Sequence, residues 1–74
     1  MSISYQPLFQ IFEDEGIVIK KFSEDTGIPM NTFYRIKNPL QPNRPPFCAS
    51  LYTLAIIARA LHRNISDLIL VEYN

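Results

Sequence analysis

This 74-residue chain contains two glycines, one cysteine and one histidine, and each scarcity closes off a kind of chemistry. The lone cysteine, Cys48, has no partner for an internal disulfide and reads as a small buried or half-buried hydrophobe. His62 has no second ligand at metal spacing, and near a helix end it reads as a favourable end charge or a surface residue. Neither residue stands at catalytic spacing to another group, and no glycine-rich phosphate loop is present. The consecutive acids Glu13, Asp14 and Glu15 fan outward rather than converge, which suits a solvated turn and not an acid–base pair. The sequence therefore predicts no enzyme, no metal, no cofactor and no small-molecule ligand. Long apolar runs are missing as well. The richest stretches, such as LAIIA at 54–58, fall far short of the roughly 20 residues of a membrane span. Met1–Gln6 has neither a basic start nor an apolar run, so no signal peptide is visible. The expectation is a soluble cytoplasmic domain.

Net charge is also missing, with seven basic and seven acidic residues. Strong polyanion binders usually carry an excess of positive charge, so the balance counts against that class. The distribution qualifies the balance. Between Thr26 and Ser66 there is no acid at all, yet Arg35, Lys37, Arg44, Arg59 and Arg63 fall there. A neutral chain can thus present one positive face, although a chance cluster would look the same.

A hydrophobic fraction of 47% suits one globular domain over 1–74, small enough that only about 60% of its unfolded surface is buried on folding. Pro7 fits the first turn of a helix that carries Leu8, Ile11 and Phe12 at helical spacing and ends at Gly16. A second helix covers about 19–26, with Phe22 and Ser23 inward, and Gly27 supplies the left-handed residue that closes it. A third runs from about Met30 to Asn38, with Phe33 and Ile36 inward. Residues 39–47, PLQPNRPPF, hold four prolines and make a stiff extended loop. Ser50 caps a fourth helix to about His62, with a core stripe of Leu51, Leu54, Ile57, Ala58 and Leu61. Ser66 caps a short fifth, with Ile65 stapled onto Leu70. The ends ISY (3–5) and LVEY (70–73) alternate loosely, as either a small β-ribbon or frayed termini. The fold class is all-α, five short helices around one core.

Two short helices about a tight glycine turn have helix-turn-helix geometry. The stretch GIVIKKFSEDTGIPMNTFYRIKN (16–38) resembles the corresponding segment of the Cro/CI-type (XRE) repressor family. SLYTLAIIARALHRNISDLI (50–69) is similar to that family's closing helices. Gly27, Ile28, Thr32, Ile36, Leu54, Ile57, Ala58, Leu61 and Leu68 carry the likeness, which spans about 5–70. It implies a lambda repressor-like domain with its helix-turn-helix at about 19–38, double-stranded DNA as partner, and sequence-specific regulation of transcription, as a repressor. The third helix would lie in the major groove with Met30, Asn31, Tyr34 and Arg35 facing bases. An asparagine amide can pair with adenine N6 and N7, and an arginine with guanine O6 and N7. Lys20, Lys21, Thr32, Asn38, Asn43 and Arg44 would hold phosphates. Without the resemblance, Asn31 and Arg35 would read as solvated helix-surface residues.

Three departures stand out. Ile19 occupies a place where the family commonly has a phosphate-binding glutamine. Pro29 replaces a common serine or threonine cap, forgoing about 1 kcal/mol. The proline loop is longer than usual. On the fourth helix Tyr52, Ile56, Arg59 and Arg63 form a second stripe, and Tyr52 with Ile56 is the candidate surface of a homodimer. The rival expectation is a protein-interaction module that keeps this fold, an anti-repressor or adaptor that does not read DNA.

Overall fold

The computed structural model describes residues 2–38 and 47–73. The order is strand β1 (Ser2–Ser4), helices α1 (Gln6–Asp14), α2 (Ile19–Thr26), α3 (Met30–Lys37) and α4 (Leu51–Leu61), a 3-10 turn (Ile65–Asp67), and strand β2 (Leu70–Glu72). The termini pair as an antiparallel ribbon, Ser2 opposite Glu72 and Ile3 opposite Val71. The fold is therefore mostly helical with a small ribbon, and the predicted fifth helix is a single 3-10 turn. Its cap differs too. Asn64, not Ser66, stands at the start, where its side chain and that of Asp67 form a reciprocal capping box. Leu70 belongs to β2 and is half exposed, while Ile65 packs against the core.

Each helix stops for a local reason. Gly16 (φ 65°) follows α1 and Gly27 (φ 76°) follows α2, both in the left-handed region where a Cβ is disfavoured. The amide of Ile17 bonds back to the carbonyl of Phe12 at 2.8 Å, closing α1 in a Schellman pattern. After α4 the same pattern recurs without glycine. His62 takes φ 56°, and the amide of Arg63 reaches the carbonyl of Ala58 at 2.9 Å. Ser50 begins α4 by accepting the amide of Thr53 at 3.1 Å, as its residue type predicts.

The core sits where α1, α2 and α3 meet α4. Phe12, Phe22 and Phe33, one from each of the first three helices, form a triangle with ring centroids 5.1–6.0 Å apart. Leu8, Ile57 and Leu68 close it, each fully buried. A smaller cluster of Tyr5, Ile36 and Leu54 lies beside it. Two residues of the predicted α4 pattern behave otherwise. Leu51 is 72% exposed, because it stands in the first turn, ahead of the buried stretch that begins at Leu54. Ile56, expected outward, is half-buried and packs against the main core, because α2 lies against α4 and widens its buried sector. Cys48 is exposed, not buried; it lies in the irregular segment before α4, outside any packed face.

Tyr5 ties the start of the chain to that segment. Its ring is 4% exposed, and its hydroxyl accepts the amide of Ala49 at 3.0 Å. Burial pushes the phenol above its usual range, outweighing the Ala49 bond that favours the phenolate. A raised folded pKa means that the stabilisation is full below the unfolded value of about 10 and is lost as pH climbs through the folded one. Tyr5→Phe should lower stability by about 1 kcal/mol near neutral pH through the unpaired Ala49 amide. The gap between the two proteins should narrow in thermal melts above about pH 10, where only the wild type has a phenol to deprotonate at this position. A gap that stays constant with pH would contradict the burial argument.

Candidate nucleic-acid interface

The turn between α2 and α3 is held by side chains as well as by glycine. The Gly27 amide donates to the Ser23 carbonyl at 2.9 Å. Thr26 Oγ1 donates to the Phe22 carbonyl at 2.7 Å and accepts the Ile28 amide at 3.4 Å, while the Ser23 hydroxyl donates to the Ile28 carbonyl. Ile28 is buried in the core. Four hydrogen bonds, three of them from side chains, and one apolar anchor thus set the angle at which α3 leaves α2. A helix positioned so tightly can serve as a probe.

Along α3 the faces separate by helical period. Phe33 and Ile36 are buried to within 1% and fasten the helix to the core. Asn31, Tyr34, Arg35 and Asn38 are exposed, and their spacing of three and four residues puts them in one outward row. Met30 and Thr32 are half-buried in the first turn. Of the four base-facing candidates, the fold therefore brings Asn31, Tyr34 and Arg35 onto an open surface and leaves Met30 at its edge. Tyr34 is 53% exposed. Neither Asn31 nor Arg35 is buried beneath the protein's own chain.

Exposed cations stand on α3 itself and at the start of α2, while the exposed acids Glu24 and Asp25 lie toward the end of α2. Lys37 is exposed beside Arg35 in the last turn of α3, where both also oppose the negative end of the helix. Lys20 and Lys21 are exposed in the first turn of α2, a helix start with no acidic residue and no side-chain cap. The start of α3 is likewise free of acids, and Pro29 offers it no cap, as its residue type predicts. Among the described residues the ion pair is Arg63 with Glu15, 3.3 Å apart and exposed on both sides, so Arg63 is drawn off toward an acid while the α2 and α3 cations are not. Asn43 and Arg44 lie outside the described residues. Ile19 packs against the core, which gives this departure from the family pattern a structural role.

One contact lies beyond the reach of helical spacing. The Arg35 guanidinium lies over the ring of Phe47, 4.3 Å from its centroid. No spacing rule links positions twelve residues apart across a proline-rich stretch of sequence. The available signal was compositional, an aromatic closing a proline run opposite a helix that ends in cations.

No helix among the described residues is long and apolar enough to cross a membrane. Across residues 8–72 the sequence matches the family described as the Cro/C1-type helix-turn-helix DNA-binding domain. No curated protein and no solved structure matches at a significant level.

Proposed function

The chain belongs to the Cro/C1-type helix-turn-helix DNA-binding family, and from that premise we propose that it is a sequence-specific transcriptional repressor that lays α3 in the major groove of duplex DNA. The observation that carries this reading is the exposed row of Asn31, Tyr34 and Arg35 above the buried Phe33 and Ile36. Asn31 and Arg35 have the amide and the fork that pair with adenine and guanine edges. Tyr34 meets a thymine methyl or a phosphate, and Met30 packs at the border. Lys20 and Lys21, at an uncapped helix start, take the backbone phosphates on one side, and Thr32 and Asn38 bracket α3. Asn43 and Arg44 complete the phosphate contacts.

A two-fold dimer on a palindromic site is the natural completion, because one small module holds a short site weakly. Tyr52, 77% exposed, and the half-buried Ile56 are its proposed contact, with the exposed Leu51 extending the apolar surface. That same surface supports the second reading, a module that docks on another protein instead of DNA.

Selection from random duplexes, followed by titration at two salt concentrations, separates the two. A DNA reader yields a sequence motif and an affinity that falls by roughly 0.9 log unit per log unit of salt for each phosphate contact. Recovery of no motif, with binding flat in salt, would reject the proposal in favour of the protein-docking module.

A further inference from the structure

We infer that Phe47 is a positioning residue for base recognition, acting through Arg35; the inference rests on the reading of α3 as a DNA probe. Arg35 carries the strongest guanine-pairing chemistry in the outward row, yet on an open helix surface an arginine samples many rotamers. The stack on Phe47, at 4.3 Å, restricts that sampling. A guanidinium meets an aromatic ring with its flat face, whereas its N–H donors point outward in the plane. The face is thus occupied by the ring and the edge is left for guanine O6 and N7. Because the side chain is held before DNA arrives, less freedom is lost on binding.

Phe47 is itself held. It is half-buried, and two residues further on the Ala49 amide is tied to the buried Tyr5 hydroxyl. Ser50 then fixes the start of α4. The chain of support therefore runs from the core through Tyr5 and Ala49 to the ring, and from the ring to the reading side chain. Among the described residues no carboxylate pairs with Arg35, so the aromatic face is its identified partner.

The test compares the full chain with Phe47→Ala, Phe47→Leu and Phe47→Tyr against the duplex selected by the wild type. Each base pair of that duplex is varied singly. A cation–π contact at an exposed site corresponds to about a two- to fivefold change. Phe47→Ala and Phe47→Leu should lose that much preference at the one base pair that Arg35→Ala also relaxes, with other positions and the salt slope unchanged. Phe47→Tyr should retain the preference. In the free protein, the upfield ring-current shift of the Arg35 side-chain protons should vanish in the Ala and Leu variants and persist in the Tyr variant.

Full retention of preference by Phe47→Leu would show that apolar bulk suffices and overturn the role of the ring. A loss spread evenly over all base pairs would make Phe47 merely structural, and would overturn it too. A wild type that selects no sequence would bring down the underlying reading as well, an outcome visible before any variant is made.

Discussion

Phe33→Ala is expected to abolish most of the folding stability. The side chain is fully buried, and its ring lies 6.0 Å from Phe12 and 5.8 Å from Phe22, so it forms two of the three sides of the aromatic triangle. Truncation removes the transfer energy of the ring and leaves a cavity, together about 3–5 kcal/mol. A domain of this size has a total of roughly 4–11 kcal/mol. The midpoint should fall by roughly 15–30 °C, or the cooperative transition should vanish. Phe33→Leu, which keeps much of the volume, should lose considerably less. Glu24→Ala, at an exposed site on α2 with no proposed contact, should stay within about 0.5 kcal/mol of the wild type. A drop of only a few degrees for Phe33→Ala in a thermal melt would mean that α3 is not fastened to α1 and α2 through this ring. Because the same ring anchors the outward row, the experiment bears on function through geometry, and DNA titrations of this variant would be uninterpretable without it.

How far the sequence exposed this arrangement depended on whether the deciding interaction was local. The end of α2 followed from Gly27, the residue type that best tolerates the left-handed closure there. The start of α4 followed from Ser50, whose hydroxyl reaches an amide three residues on. Phe33 and Ile36 were legible because a short amphipathic helix leaves few ways to bury an aromatic. Periodicity failed at Leu51 and Ile56, since burial there is set by where α2 lies against α4 and by where the core ends, and neither is encoded in the spacing of one helix. Asn64 and Ser66 offer the same capping chemistry two residues apart; which one serves depends on the chain's path out of α4 through His62. The ribbon was open to two readings because pairing of residues about seventy apart is decided by the closed core and not by three alternating side chains. At the candidate interface the residue types were legible and the support was not. Asn31 and Arg35 could be chosen by what an amide and a guanidinium can bond, whereas the ring beneath Arg35 comes from twelve residues further along the chain.

The last expected result separates base reading from charge. Arg35→Ala should reduce discrimination at a single base pair of the selected duplex by about 1–3 kcal/mol, roughly five- to 150-fold, while other positions keep their preferences. Lys20→Ala and Lys21→Ala should instead weaken all duplexes alike, and each that contacts a phosphate should make the salt dependence shallower by about 0.9. The sharper variant is Arg35→Lys. Lysine keeps the charge but lacks the planar fork that grips two acceptors and lies over the Phe47 ring. If Arg35 acts as a base reader, Arg35→Lys should resemble Arg35→Ala in lost preference and the wild type in salt slope. If Arg35 acts only as a cation near the backbone, Arg35→Lys should resemble the wild type in both. Titration of the three proteins on the selected duplex and its single-base variants, at two salt concentrations, decides between these outcomes. A lysine variant that keeps full preference would remove Arg35 from the reading row and leave Asn31 as the proposed hydrogen-bonding base reader.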